Sequence, residues 1–215
     1  MKNFLIVLIT ILVAGSMAYL IYLGVQDDKK NDLPEDISNS QPSSNEAGTY
    51  KNQEHGFSID YPKTAVLSKE NIPDISEEID ELAVIFSQDS FQKKDPKTGQ
   101  MASYPKYSVL IGVQDENLLA LKKACPEKPN ASDAELLQCS IQKASEGQVS
   151  PEIKKLNNRD WVVYQTNREN NMSHVYQVIQ DGQIYVLINS FLRKEIEEKQ
   201  LIEAQKVINS FKFIN

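Results

Sequence analysis

Few residues in this chain have the types and spacing that chemistry requires. Its two histidines, His55 and His174, lie far apart, and neither has a His, Cys, Asp or Glu at metal-ligand spacing. Both read as exposed structural residues, His55 in a turn and His174 at a strand start. The nearest approach to a serine-nucleophile elbow is Gly56-Phe57-Ser58-Ile59-Asp60. It lacks the second glycine and sets Ser58 within a strand rather than at a strand-to-helix corner. The acidic run SEEIDE, residues 76 to 81, has neither the repeated spacing nor the glycine of a calcium loop, and reads as a solvated helix turn. No glycine-rich phosphate cradle occurs. The spacing of the 30 acidic residues singles out no carboxylate dyad. The expectation is no catalytic residue, no metal ligand and no cofactor.

Cys125 and Cys139 are the only two cysteines, and they bracket CPEKPNASDAELLQC. In an exported chain an even pair reads as a disulfide. Two unrelated buried thiols are the other reading. A bond closing a loop of this size contributes about 3 kcal/mol in the chain-entropy picture. No C-x-x-C spacing supports a redox role, so the bond is expected to be a stability device.

Export is suggested by the N-terminus. Residues 4 to 25 carry no charge, and 22 residues at a rise of 1.5 Å span about 33 Å, enough for a bilayer core. Ser16-Met17-Ala18 offers a signal-peptide cleavage site, but YLIYL prolongs the apolar run beyond it, so an uncleaved anchor is favoured. Residues 1 to 3 are then a short cytoplasmic tail. Lys2 and the terminal amine nearly balance Lys29 and Lys30, so the positive-inside rule is close to a tie, which the bulk of the chain and its cysteines break towards an outside domain. Residues 26 to 49 have no aromatic residue and are rich in Ser, Asn, Asp and Pro, a composition that cannot offset its ordering entropy. As a flexible linker their 24 residues reach about 25 to 30 Å. The absence of a glutamate from the apolar run, and the polar, Pro-containing break after it, argue against a type IV pilin.

Net charge is −7, and beyond Lys2 the chain has 22 basic against 30 acidic residues. A surface of that sign repels phosphates, which argues against nucleic acid. A uniformly anionic domain would also dock poorly on anionic lipid.

Residues 50 to 215 carry the patterns of a folded domain. Phe57, Ile59 and Tyr61 alternate with Ser58 and Asp60, the period of a half-buried strand that Pro62 ends. ELAVIFSQ from Glu81 and YSVLIGVQ from Tyr107 read as further strands. Asp115 is placed to cap the helix ENLLALKKAC, and Ser132 and Glu135 form a capping box opening a second helix. In that helix Leu137, Ile141 and Ala144 share a face. The disulfide would therefore staple a helical hairpin across its Pro-containing turn. Four strand-like runs follow, EIKKLN, DWVVYQTN, SHVYQVIQ and QIYVLINS, with turns at Asn157-Asn158-Arg159 and at Asp181-Gly182. A closing helix places Leu201, Ala204, Ile208 and Phe211 on one side.

Between the second and third of these strands lies a long polar stretch expected to be an exposed loop. Long polar loops on a rigid sheet often carry function, so Phe91, Lys93, Lys94, Tyr104 and Lys106 are the candidate binding residues. Trp161 and the tyrosines 104, 107, 164, 176 and 185 are expected in the sheet core rather than at an interface.

GFSIDYP at 56 to 62, the meander through NNRDWVVYQ and QDGQIYVLINSF, and the closing VINSFKFI together resemble the PsbP-like fold. That family is named for an extrinsic subunit of photosystem II and is shared with a nuclear import factor that binds the Ran GTPase. The resemblance covers residues 50 to 215. It implies an α+β fold, an antiparallel β-sheet flanked by helices as an α/β/α sandwich, here preceded by one N-terminal transmembrane helix. It also implies a non-catalytic accessory or docking role, and it carries no ligand residue to this chain. The function expected is a bacterial, single-pass, extracytoplasmic binding domain with a protein partner in the cell envelope. An extracytoplasmic hydrolase with a carboxylate-based site and a small-ligand sensor are the alternatives.

Overall fold

A computed structural model of the chain describes residues 47–69, 79–94, 99–114, 118–168 and 171–214. The expected membrane segment 4–25, most of the linker, residues 76–78 of the acidic run and the cap at Asp115 lie outside them. Among the described residues no helix is long and apolar enough to cross a membrane.

The elements run β1 (Gly48–Asn52), β2 (Phe57–Tyr61), β3 (Ala65–Ser68), β4 (Asp80–Ser87), β5 (Ser90–Lys94), β6 (Met101–Pro105) and β7 (Tyr107–Gln114). Then come α1 (Leu118–Ala124), α2 (Asp133–Ala144), β8 (Glu152–Leu156), β9 (Arg159–Arg168), β10 (Asn171–Gln180), β11 (Gln183–Leu192), α3 (Glu198–Ser210) and β12 (Lys212–Phe213). Seven strands form one sheet in the order β3-β4-β7-β11-β10-β9-β8. Every neighbouring pair in it is antiparallel. A small sheet, β1-β2-β12, and a two-stranded sheet, β5-β6, stand beside it.

β11 shows why the sheet is the middle layer. Its residues 184 to 191 are all buried, because strand side chains alternate and both faces are covered. Ile184, Val186 and Ile188 meet Leu121, Leu136 and Leu137 of the α1–α2 hairpin. Tyr185, Leu187 and Phe191 meet Phe57 and Ile59 of β2 and Ala204, Val207 and Ile208 of α3. The centre of that second core is aromatic. Phe211 stacks on Phe57 at 5.1 Å and meets Trp161 edge-on at 5.5 Å.

Local signals placed most elements where the chain needed them. Asp181 and Gly182 both have positive φ, 53° and 83°, the conformation a two-residue hairpin turn demands. Asn157 and Asn158 do the same, at 51° and 63°. Ser132 caps α2, accepting from the Glu135 N–H, while the Glu135 carboxylate accepts from the Ser132 N–H at 2.8 Å. β12 pairs with β2, so the closing VINSFKFI runs from the end of α3 into a strand.

Several expectations are corrected. Ahead of the FSIDY strand lies a further strand, β1, which pairs antiparallel with β2 across a turn at residues 53–56. Asp80, read as part of a helix turn, instead begins β4 opposite Val113, and Glu81 follows it opposite Gly112 in the strand expected from there. Ala65–Ser68 is an edge strand that its short, non-alternating sequence did not announce. In α2 the expected face is present in part: Leu137 is buried and Ile141 packs against the same core, joined by Ala134, Leu136 and Cys139, while Ala144 is only partly covered.

Candidate functional site

The disulfide joins Cys125, just beyond α1, to Cys139 in α2, with the Cα atoms 6.4 Å apart. Both cysteines are buried against the sheet. Glu127 lies beside the bond, its carboxylate 3.4 Å from the Cys139 sulfur and 2.7 Å from the Lys143 ammonium. Hydrogen bonding from Lys143 holds the Glu127 carboxyl below its ordinary pKa. Cys125, Glu127 and Cys139 present three ligand atoms within 4.8 Å of one another, but bonded sulfurs offer no thiolate to a metal.

The histidines differ from their expected exposure. His55 is half-buried in the β1–β2 turn, where its N–H donates to Asn52 Oδ1 at 3.0 Å and its carbonyl accepts from Tyr185 Oη at 2.8 Å. His174 is half-buried within β10, edge-on to Phe191 at 5.4 Å, with Nε2 3.2 Å from the Met172 sulfur. Burial, and then the charges of Lys154 and Arg193, lower its pKa. Strand pairing brings Phe191 to it, which sequence proximity could not show. Ser58 lies inside β2 as expected, fully buried, and its hydroxyl has no hydrogen-bond partner among the described residues. The aromatic set divides. Trp161, Tyr107, Tyr164, Tyr176 and Tyr185 are buried in the core, but Tyr104 is not.

Tyr104 belongs to the stretch expected as an exposed loop, which is instead a β-hairpin arm. β5 and β6 pair antiparallel, with Phe91 opposite Tyr104, Lys93 opposite Ala102 and Lys94 opposite Met101. Directly opposed residues share a face, so the Phe91 and Tyr104 rings stack, at 5.7 Å and an interplanar angle of 23°. Ser103 donates to Ser90 across the other face at 2.8 Å. Lys93 and Lys94 are exposed towards the outer end, and Met101 beside them is 63% exposed. The turn residues 95–98 lie outside the described residues.

The arm is fastened at its root. Ser87, buried at the end of β4, accepts from the Lys106 N–H at 2.8 Å and donates to the Asp89 carbonyl at 2.7 Å. Gln88 donates from its backbone to the Thr64 carbonyl at 2.8 Å, and Gln200 of α3 donates to the Asp89 carboxylate at 3.3 Å. Lys106 folds back, its ammonium 5.7 Å from the Phe91 ring centre and 2.6 Å from the Glu195 carbonyl oxygen. Of the five candidate residues, Phe91, Tyr104 and Lys106 therefore build the arm, and Lys93 and Lys94 are presented by it. Ser87 and Gln200, which hold the root, had no signal in the sequence, because their roles depend on partners far along the chain.

The fold this arm stands on is an antiparallel α+β sandwich. No family model and no curated protein sequence matches the chain. Among solved structures it is similar to a protein of Bacteroides thetaiotaomicron, at TM-score 0.43 and 11% identity, over 80% of this chain and 50% of that one. This chain thus spans about half the length of the Bacteroides protein. It is also similar to the cyanobacterial PsbP of Synechocystis, at TM-score 0.43 and 11% identity, over 83% of this chain and 98% of that one. A Pseudomonas aeruginosa protein of unknown function, described as a putative regulator, aligns at TM-score 0.31 and 12% identity over 74% and 94% of the two chains.

Proposed function

We propose that this chain is a membrane-anchored, extracytoplasmic, non-catalytic binding domain that docks on another component of the cell envelope through the β5–β6 arm. The observation that carries this reading is the arm itself. A rigid sheet presents a two-stranded projection whose root is locked by Ser87 and whose outer end offers two exposed lysines and an exposed methionine. Such a construction suits contact rather than catalysis, since among its described residues no nucleophile is held against a base. The apolar segment 4–25 and the polar segment 26–49 supply the anchor and the reach.

The hydrolase reading has less support. A general acid needs a carboxyl whose pKa is raised. Among the described residues the two carboxyls with displaced values, Glu127 and Glu135, are both lowered, by Lys143 and by Ser132 respectively, and both are exposed.

The test is crosslinking in intact membranes, with a photo-reactive residue placed at Gln92 or Ser103, both exposed on the arm. Adducts at these positions, absent from a probe placed at Lys199 on α3, are the expected result. Adducts at neither arm position would sink the reading.

A further inference from the structure

β8 ends the seven-stranded sheet, and no described strand lies along its outer edge. Residues 152 to 155 are all exposed, and Ile153 among them is 37% exposed despite its apolar side chain. The strand pairs with β9 in unbroken register, with no bulge to turn the edge aside. An edge of this kind is a template for another strand.

The groups it offers follow from the turn beside it. Asn157 and Asn158 make a two-residue hairpin turn, so the flanking residues Leu156 and Arg159 form a hydrogen-bonded pair. Alternation then makes Lys154 with Trp161, and Glu152 with Val163, bonded pairs as well. The N–H and carbonyl of Ile153 and of Lys155 therefore point away from the sheet. Pro151, just ahead of the strand, has no N–H to offer. Its carbonyl accepts from Gln138 Nε2 at 2.7 Å and keeps a second lone pair.

We propose that the β8 edge pairs antiparallel with the β8 edge of a second copy of this chain, about a two-fold axis at Ile153. This goes beyond the docking reading above and uses neither the arm nor the anchor.

The sequence around Ile153 is complementary to itself. A two-fold axis perpendicular to the sheet keeps faces matched, so each residue meets one of the same face. Centred on Ile153, it sets Ile153 opposite its own copy, Glu152 opposite Lys154 of the second copy, and Pro151 opposite Lys155 of the second copy. The two Ile153 residues exchange backbone hydrogen bonds, and their exposed side chains cover one another. Each Lys155 N–H finds the Pro151 carbonyl, at the one position where the facing residue has no donor to leave unpaired. Within one chain the Lys154 ammonium already lies 3.0 Å from the Glu152 carboxylate, on one face of the strand. Across the axis each meets an opposite charge again, so four charges alternate in sign. An axis at Lys154 would instead oppose two lysines directly, which is unfavourable.

Lysines on an edge usually ward off pairing. Here they repel other strands, whereas in this one register Lys154 meets an acid, so the same residues select a copy of the chain. A contact of one short strand is smaller than the about 1,600 Å² of a stable interface. The pairing is therefore weak and reversible, and covalent trapping reads it.

The full chain is purified in detergent micelles as Ile153→Cys and, for control, as Lys155→Cys. Across a hydrogen-bonded pair the Cα atoms lie about 5.5 Å apart, within disulfide reach. Position 155 lies four residues from its own copy, about 14 Å away, which is out of reach. Mild oxidation is expected to give a covalent dimer from Ile153→Cys, cleaved by reductant, and about tenfold less from Lys155→Cys. Adding Glu152→Lys or Lys154→Glu to Ile153→Cys should slow dimer formation severalfold, and adding both should restore it. Blue-shifted emission from the buried Trp161 in each variant shows that the fold is intact. Equal yields from the two cysteines, or none from Ile153→Cys, would overturn the pairing, and a dimer held only through the apolar segment 4–25 would give one of these results. A yield unmoved by the single charge reversals would overturn it too.

Discussion

The side-chain amide of Asn157, in the turn between β8 and β9, donates to the Asn209 carbonyl oxygen at 3.0 Å and to the Phe211 carbonyl oxygen. One turn residue thereby ties the outer edge of the large sheet to the end of the C-terminal helix. The same residue holds φ at 51°, a region that asparagine tolerates better than most side chains.

Asn157→Gly keeps the backbone geometry and removes both bonds. It is expected to lower stability by about 1 to 3 kcal/mol. Asn157→Ala should cost about 1 kcal/mol more, since alanine resists positive φ. Urea unfolding of the two variants separates the contributions. Identical midpoints for the glycine variant and the parent would show that the bonds contribute nothing.

Trp161 is the sole tryptophan and is 1% exposed, set edge-on against Phe211. Trp161→Phe should be tolerated with a modest loss, whereas Trp161→Ala should cost about 3 to 5 kcal/mol through the cavity it leaves. In the parent protein its fluorescence should be blue-shifted and should move to the red in one step on unfolding. An initially red-shifted spectrum would contradict the burial.

Reduction of Cys125–Cys139 opens a loop with a sequence separation of 14 residues. The expected loss is about 3 kcal/mol, concentrated in the α1–α2 layer, whose short helices need the staple. Freshly isolated protein should show no alkylated cysteine by intact mass until it is reduced, and two afterwards. Two alkylated cysteines without reduction would overturn the bond.

Acid should weaken the fold in two stages. Burial lowers the pKa of His174 from 6.5, so the unfolded chain binds that proton first and stability falls as pH drops below about 6.5. Glu127 and Glu135 are lowered from 4.5, so their contribution is present above that value and is lost as pH falls through their folded pKa values. His174→Phe should flatten the first stage and Glu135→Gln should shrink the second, as read from thermal midpoints across pH. A slope between pH 7 and 5 unchanged by His174→Phe would reject the histidine assignment.

The elements legible in the sequence are those written in local chemistry. A capping box needs only Ser132 and Glu135, a two-residue turn needs only Asp181 and Gly182, and strand alternation needs one face of one segment. These signals work because their partners lie within a few residues. The arm was legible only in part. Its residues stood out as a long polar stretch, but its pairing depends on Phe91 meeting Tyr104 thirteen positions away, in strands with little apolar alternation to announce them.

By itself the sequence determined that an acidic chain carries a membrane-length apolar segment, a polar spacer and an α+β pattern with two cysteines one helical hairpin apart. Only the tertiary structure decided that β7 lies between β4 and β11, that β12 returns to β2, and that His174 is half-buried against Phe191. The reason is physical. Turns and caps are satisfied by neighbours, whereas strand order and burial are settled by which distant surfaces must cover one another to leave water.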